Sequence, residues 1–322
     1  ANVHKTFADG AFSLNATLGA SIEDYKHRAI LLGGDLTGVP NLFTLANMTT
    51  NVPASTLSAW NAATSYALDA EVIDPVTRII YRSLAAANQG NDPLTVSTKW
   101  QARGVENRLR LCDTSMGSVT EYADLIRLDI TTGRVVTDLA LFGVRAQSVV
   151  VTITDPTDGV VFGPKTFSML RPSGNSHWGY FFHPLEFKSR LLISGLPAYT
   201  RAVITVEIKN PGGMVRCAEL VAGRSVWLGN TKWRPSIGFD EWSEKERDAW
   251  GGWKVAAGGA YSDRMKLEVL VNSLAYERTR EQIIAVRAKP VVWIGARGFD
   301  ALTTYGYIMA FEQLLAAHGI SD

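Results

Sequence analysis

The run Arg201-Ala-Val-Ile-Thr-Val-Glu-Ile-Lys209 is the clearest structural signal in this chain. Its even positions from 204 to 208 are Ile, Val and Ile, while its odd positions from 205 to 209 are Thr, Glu and Lys. Because successive side chains of a strand point to opposite faces, this alternation predicts an antiparallel strand with one buried face. The turn-forming sequence Asn210-Pro-Gly-Gly213 follows, and an apolar run from 214 to 221 predicts a second strand after that turn.

The same order of strand, turn and strand recurs earlier in the chain. Residues 122–130 precede the turn Thr131-Thr-Gly-Arg134, and residues 148–154 precede the turn Asp155-Pro-Thr-Asp-Gly159. Repeated units at this spacing are typical of two packed antiparallel sheets. The sequence therefore predicts a β-sandwich over residues 104–222.

Residues 223–322 mix strands with one main helix, which we expect over residues 274–288. Asn272 or Ser273 can cap this helix, and Pro290 ends it. The apolar stripe of the helix repeats at i, i+3, i+7 and i+10 and consists of Tyr276, Thr279, Ile283 and Val286. Strands are predicted at 265–271, 291–294 and 302–311. We therefore expect a C-terminal α+β roll.

The first hundred residues divide into two further parts. Residues 1–53 are rich in Gly, Asn and Thr with poor periodicity, so they predict an irregular N-terminal arm that lies on a partner. Residues 54–103 alternate short apolar pairs with turn residues and predict a small β domain. The expected fold class is thus mainly β, combining a small β module, a β-sandwich and the α+β roll with one main helix.

Composition excludes several classes of function. The 322 residues carry a net charge of +1, so nothing predicts binding to nucleic acid. No apolar run approaches the roughly 20 residues that span a bilayer, and no signal segment is expected at the N-terminus. Cys112 and Cys217 stand 105 positions apart, which favours two buried thiols over a redox pair or a zinc site. We expect no cofactor.

Active-site motifs are absent from the sequence. It has no G-x-S-x-G elbow, phosphate-binding loop, dinucleotide-binding fingerprint or H-E-x-x-H metal motif. His177 and His183 could form a metal pair on a strand, although polar residues in an aromatic segment explain them better. We therefore expect no catalytic residue, no metal and no enzymatic activity. The alternative, a carbohydrate-active enzyme, would need a carboxylate pair from the candidates Asp240, Glu241, Glu244, Glu246 and Asp248.

An aromatic pattern marks residues 54–103 and provides four candidate carbohydrate-binding residues. They are Trp60, Tyr66, Tyr81 and Trp100. Flat aromatic faces pack against the C–H groups of sugars, and the same rings could instead form the core of a small domain. The run Trp60-Asn-Ala-Ala-Thr-Ser-Tyr66 and the later aromatics resemble the chitin-binding type 5/12 carbohydrate module, although Leu68 and Thr77 replace two glycines of that pattern. The resemblance implies contact with a polysaccharide.

The C-terminal third resembles virion proteins of tailed bacteriophages, of the tail-tip or distal-tail type. The resemblance is carried by residues 228–238, a charged hairpin, the strand and helix described above, residues 290–295 and Tyr305-Gly-Tyr307. It implies a tail-tube-like roll with a long hairpin, assembly into a homo-oligomeric ring with other phage tail proteins, and a place in the virion after synthesis in the host cytoplasm.

Five of the nine Trp residues fall between positions 227 and 253. Because Trp is enriched at protein interfaces, we expect subunit contacts there. The candidate interface residues are Trp233, Trp242, Trp250 and Trp253. The sequence thus predicts a structural component of a phage tail or tail tip that contacts host glycans. The alternative is a secreted carbohydrate-active enzyme or polysaccharide-binding protein.

Overall fold

A computed structural model provides the structure of the chain and describes residues 2–7, 12–17, 28–33, 47–131, 133–171, 186–232, 235–247 and 250–311. For the first three ranges only the backbone is described. This part of the chain is mainly β, with several sheets and one α-helix, which confirms the predicted fold class.

The regular elements lie in the following order. The strands are β1 (Asn2–Phe7), β2 (Phe12–Thr17), β3 (Arg28–Gly33), β4 (Met48–Thr50), β5 (Glu71–Ile73), β6 (Ile79–Ser83), β7 (Trp100–Val105), β8 (Thr120–Thr131), β9 (Asp138–Phe142), β10 (Ser148–Asp155), β11 (Gly159–Ser168), β12 (Leu170–Arg171), β13 (Glu186–Phe187), β14 (Arg190–Ser194), β15 (Val203–Cys217), β16 (Glu219–Thr231), β17 (Ser236–Glu241), β18 (Glu244–Arg247), β19 (Trp253–Ala257), β20 (Tyr261–Lys266), β21 (Val269–Leu270), β22 (Val291–Ile294) and β23 (Thr303–Gly306). The helix is α1 (Tyr276–Val286), and 3-10 turns occupy Asn107–Cys112, Ser273–Ala275 and Asp300–Leu302.

Two antiparallel sheets form the body of the protein. The first has the strand order β11-β10-β15-β8-β4, and the second has the order β14-β9-β16-β3-β22-β23, with β21 paired to β16. Alternate residues of both sheets are buried in one shared hydrophobic core, which includes Ile126, Leu128, Ile130, Leu139, Leu141, Val149, Val151, Ile204, Val206, Ile208, Leu220 and Ala222. The period-two pattern of the sequence therefore predicts the sandwich correctly, because each apolar face turns towards the other sheet.

The second sheet is covered on its outer face as well. Phe142, Val221 and Ile294 form a second cluster there, and every residue of β9 is buried. Helix α1 packs next to it, where Ile283 contacts Leu228 and Val291. This position confirms the predicted helix and its inward-facing stripe. The helix is shorter than expected, because a 3-10 turn occupies Ser273–Ala275, and its N-cap is Ala275 rather than Asn272 or Ser273. No helix in the described ranges is long and apolar enough to cross a membrane.

The predicted turn at Asn210-Pro-Gly-Gly213 is wrong. Strand β15 runs through it and pairs with β8 on both sides, with Asn210 opposite Asp124 and Met214 opposite Ala123. The Gly212 amide donates a hydrogen bond to the Asp124 carboxylate at 2.7 Å, and the Asn210 side chain donates to the Met214 carbonyl at 3.0 Å. The turn-forming residues thus make a bulge inside one long strand, because side chains satisfy the backbone groups that the bulge unpairs.

Two other expectations need correction. Residues 1–53 contain regular structure, because β3 lies between β16 and β22 in the second sheet, and β4 is an edge strand of the first sheet. Both strands are too short to show a period, since β4 is Met-Thr-Thr and β3 has only four consecutive apolar residues. The strand expected at 302–311 is confined to Thr303–Gly306, because a 3-10 turn takes its first residue and pairing with β22 ends at Gly306.

The small module is a three-stranded antiparallel sheet of order β5-β6-β7. Its two ends meet at Glu106, which is fully buried. This carboxylate accepts hydrogen bonds from the Ser55 amide at 3.1 Å, from Arg78 at 2.7 and 2.8 Å and from Arg108 at 2.6 Å. Glu106 therefore links three parts of the chain: the start of the module at Ser55, the residue before β6 at Arg78, and the 3-10 turn after the module at Arg108.

Candidate functional site

A long β-hairpin projects from the body between β16 and α1. We call it the hairpin arm: β17 pairs with β20 at its base, and β18 pairs with β19 in its outer half. At the base, Arg190 of the body forms an ion pair with Asp263. Both arm sheets have only two strands, so the arm has no second layer of its own among the described residues.

One side of the arm is apolar along its base. Residues paired directly across two antiparallel strands share a face, and the register places Ile237 opposite Met265 and Glu241 opposite Tyr261. Phe239 lies on the same face, where its ring meets that of Tyr261 edge-on at 6.4 Å between centroids. Ile237, Phe239 and Tyr261 are 50%, 64% and 70% exposed.

The opposite side of the arm is polar. Asp240 forms an ion pair with Arg264 at 3.1 Å, and Glu246 forms one with Lys254 at 3.5 Å. Both pairs lie in solvent and therefore contribute little stability. The opposite side carries these paired charges, whereas the side of Phe239 carries the apolar side chains together with Asp263 and Glu241.

The outer half of the arm continues the apolar side. Trp253 and Val255 lie on one face with Lys245 and Arg247, and the Arg247 guanidinium lies 5.3 Å from the centre of the Trp253 ring. Lys245 forms an ion pair with Glu241, which belongs to the apolar face of the base. This contact joins the two faces into one, which we call the apolar face of the arm: Ile237, Phe239, Trp253, Val255 and Tyr261.

A tight junction at Trp242 and Gly259 sets the geometry between the two halves. The Trp242 amide donates to the Ala260 carbonyl at 3.0 Å, and the Gly259 amide donates to the Ser243 hydroxyl at 3.0 Å. A Cβ atom on Gly259 would lie 2.2 Å from the Trp242 carbonyl oxygen. Only glycine fits this close approach of the two strands.

The predicted interface tryptophans are found on this arm. Trp242, Trp250 and Trp253 are 71%, 96% and 70% exposed, and Trp233 lies outside the described residues. Tryptophan enrichment therefore located the arm from the sequence. It missed Phe239 and Tyr261, which the alternation of apolar and polar residues along β17 and β20 could have identified.

The predicted carbohydrate-binding residues occupy a different environment. Tyr66, Tyr81 and Trp100 are only 9%, 8% and 3% exposed and form the core of the small module with Val72. The Trp100 indole donates to a backbone carbonyl at 2.8 Å, and its ring meets Tyr66 edge-on at 5.4 Å. A sugar needs an exposed ring face, so these three residues cannot form the expected platform. Trp60 alone of the four keeps part of its surface in solvent.

The module's anchoring carboxylate was not found from the sequence. Burial alone would raise the pKa of Glu106, but hydrogen bonds from Arg78, the Ser55 amide and Arg108 outweigh it and lower that pKa to about 2. The group is therefore ionised at neutral pH and holds its partners by charge-assisted bonds. Because those partners stand from 2 to 51 positions away in sequence, no local pattern could identify the cluster around Glu106.

The pKa of a second buried acid, Glu219, shifts in the opposite direction. Glu219 is fully buried, its Oε2 atom has no hydrogen-bond partner among the described residues, and its Oε1 atom lies 3.4 Å from the Tyr305 hydroxyl. Burial raises the pKa of Glu219 to about 9, and the nearby charge of Asp113 acts in the same direction. Burial also raises the pKa of the neighbouring thiols Cys112 and Cys217. Both thiols are therefore neutral and poorly nucleophilic at neutral pH.

The carboxylates considered for an enzyme do not form a catalytic pair within the described ranges. Asp240, Glu241 and Glu246 each have a Lys or Arg partner on the open hairpin, Glu244 is exposed on β18, and Asp248 lies outside those ranges. The residues His177 and His183 also lie outside them. No group of three or more His, Cys, Asp or Glu side chains that could hold a metal occurs in the described part of the chain.

Comparisons with known proteins give weak likenesses. No protein-family model matches the chain, and no curated protein sequence matches it. Chitosan-binding module 1 of a chitosanase/glucanase from Paenibacillus sp. IK-5 is similar at 11% identity over 36% of this chain and 84% of that chain, with a TM-score of 0.24. The lectin binding domain of lectinolysin, solved with Lewis b, is similar at 19% identity over 37% and 84%, with a TM-score of 0.26. Both are carbohydrate-binding modules, neither name is that of a virion protein, and we draw nothing about function from similarity this low.

Proposed function

We propose that the chain is a non-catalytic structural protein that assembles as a homo-oligomer through its hairpin arm. The observation that carries the proposal is the apolar face of the arm, in which Phe239, Tyr261 and Trp253 are each at least 64% exposed on two-stranded sheets. An isolated two-stranded ribbon is only marginally stable in water. Burial of this face against another subunit would supply the missing layer.

The aromatic side chains of the apolar face supply part of an interface. Phe239, Trp253 and Tyr261 are from 64% to 70% exposed. At about 200 Å² per aromatic side chain, their exposed fractions amount to roughly 400 Å². A standard protein interface buries about 800 Å² per partner, so these three rings would provide about half of one side.

We propose further that the protein lies in the tail or tail tip of a tailed bacteriophage, in a ring with other tail proteins. The support for this step is the sequence resemblance of the C-terminal third, together with the long hairpin that such proteins use to contact their neighbours. Contact with host surface glycans would come from the small module, whose sequence resembles a chitin-binding module.

The oligomer is tested by size-exclusion chromatography with light scattering over a range of protein concentrations. We expect the wild-type chain to form an oligomer and the double variant Phe239→Ser/Tyr261→Ser to be a monomer. The matched control is Asp240→Asn/Arg264→Gln, which removes an ion pair from the polar side of the same strands and should leave the oligomer intact. A monomeric wild type that binds no tail protein encoded beside it would refute the assembly role.

The location in the virion needs a separate measurement. Purified particles from the source phage, labelled with antibody against this chain, are imaged by electron microscopy. Label at the tail or its tip is the expected result. Label elsewhere on the particle, or none on intact particles, would contradict the tail assignment while leaving the oligomer result unchanged.

A polysaccharide-binding protein is the second candidate, and one residue favours it. Trp60 lies at the rim of the module's aromatic cluster, and its indole nitrogen has no hydrogen-bond partner among the described residues. That nitrogen is buried, so a sugar would meet only the part of the ring that remains in solvent and would pack on it. Chito-oligosaccharides on a glycan array test the idea: binding by the wild type that Trp60→Ala removes supports it, and absence of binding assigns the module to structure alone.

A further inference from the structure

A groove of about 480 Å³ lies between strand β16 and helix α1, on the body of the protein and away from the apolar face of the arm. Its walls carry one aromatic ring and several hydrogen-bonding side chains. They are Arg224 and Trp227 from the strand and Arg278, Thr279 and Gln282 from the helix.

The backbone of β16 explains why a tryptophan side chain reaches this groove. The pairing of β16 with β3 shifts by one residue between Trp227 and Gly229. Gly229 there packs so closely that a Cβ atom would lie 2.4 Å from the Leu270 carbonyl oxygen. A bulge changes the direction of the side chains beside it. Leu228 is therefore buried against Ile283 of the helix, while Trp227 stays 49% exposed along the groove wall.

The electrostatics of the groove favour an anion. Arg224 and Arg278 both line it and are exposed, and neither makes an ion pair with a carboxylate of the described residues. No Asp or Glu is among the described lining residues. Two guanidinium groups without a carboxylate partner, next to an open indole face, match a ligand that has both an apolar ring face and a negative charge.

We propose that this groove binds an anionic saccharide. One face of a sugar ring packs on the indole of Trp227, and its carboxylate or phosphate accepts hydrogen bonds from Arg224 and Arg278. The Gln282 amide lies on the same wall and can bond the ring hydroxyls. A neutral chitin-type sugar would gain no charge-assisted hydrogen bond from the two guanidinium groups, so acidic glycans are the preferred class. This site is independent of assembly through the arm.

Isothermal titration calorimetry with defined oligosaccharides tests the proposal on the full-length protein. The probes are tetra-galacturonate, which carries carboxylates, a mannose-6-phosphate oligosaccharide, which carries phosphate, and neutral chitotetraose. We expect binding of at least one acidic probe, weaker or no binding of chitotetraose, and loss of affinity as salt rises. The stronger of the two acidic probes identifies whether carboxylate or phosphate is the natural acidic group.

Variants locate the site. Trp227→Ala and Arg278→Gln should each weaken binding of the acidic probe on the order of tenfold, the scale of one lost aromatic or charged anchor. The matched control is Arg280→Gln, two positions along the same helix and absent from the groove wall, which should bind as the wild type does. Thermal unfolding and the oligomeric state should be unchanged in all three variants.

Three results would overturn the proposal. They are no binding of either acidic probe, equal binding of acidic and neutral probes, and an effect of Arg280→Gln as large as that of Arg278→Gln. None of these depends on the arm, because a monomeric Phe239→Ser/Tyr261→Ser variant should still bind the acidic probe. Failure of the groove and failure of the assembly role are therefore distinguishable.

Discussion

The buried carboxyl of Glu219 should make the stability of the protein fall as pH rises. Its pKa is about 9 in the folded chain, against an ordinary value of 4.5. Between these two values the folded state keeps a proton that the unfolded state has released, so the free energy of unfolding decreases with pH. The contribution is fully present below about pH 4.5 and is lost as pH rises towards 9.

The magnitude follows from the linkage relation. One bound proton corresponds to about 1.4 kcal/mol per pH unit, so a rise from about pH 6 to about pH 8 should remove roughly 2.7 kcal/mol. The variant Glu219→Gln keeps the shape of the side chain but cannot ionise. The free energy of unfolding of this variant, relative to that of the wild type, should therefore rise by about 1.4 kcal/mol for each pH unit in this window.

The assay is urea unfolding of both proteins at pH 6, 7 and 8, with the difference in free energy plotted against pH. All other ionisable groups are common to both proteins and cancel in that difference. Glu244→Gln, an exposed carboxylate of β18, is the matched control and should give a flat difference. A flat difference for Glu219→Gln as well would refute the reasoning, because it would show that the carboxyl is hydrated and ionised in the folded protein.

Two further predictions concern the small module. Glu106→Gln should cost about 3 kcal/mol at neutral pH, because the pKa of Glu106 in the folded chain lies near 2 and its stabilisation is present above about pH 4.5 and lost as pH falls towards 2. Urea unfolding at pH 7 and pH 3 measures it, and an equal loss at both values would contradict an ionic role. Trp100→Ala should destabilise the module by about 3–5 kcal/mol, since it removes a buried ring and its hydrogen bond to Asn91. Chemical denaturation measures that change, and a variant as stable as the wild type would show that the ring is not part of the core.

The sandwich could be predicted from the sequence wherever a strand has one buried face and a clear local turn. Strand β10, which ends at the turn Asp155–Gly159, satisfies both conditions, and the helix over Tyr276–Val286 has a regular stripe. Prediction failed at Asn210 to Gly213, where Pro and Gly signal a turn in any local context. What keeps this segment in a strand is Asp124, which lies 88 positions from its partner Gly212. Such long-range hydrogen bonds cannot be inferred from local composition.

Of the candidate sites, the arm could be identified from the sequence, whereas the role of the module's aromatic residues could not. Tryptophan enrichment identified the arm, because exposed aromatic residues on a hairpin are visible in composition and position alone. The aromatic residues of the module were assigned to sugar binding although Tyr66, Tyr81 and Trp100 are buried. Residue type does not distinguish a binding platform from a small core, since both need flat apolar rings. Only burial separates the two, and burial depends on strands that pair across the module.

The amphipathic pattern of the arm is itself an argument for a partner. A hairpin that only connects two elements has no need for apolar residues on one side, and exposed aromatic side chains promote aggregation. Here the apolar face extends from Ile237 to Trp253, while Asp240 and Glu246 on the other side have their cationic partners. Exposed aromatic side chains grouped on one side of a two-stranded hairpin therefore support the proposed assembly through the arm.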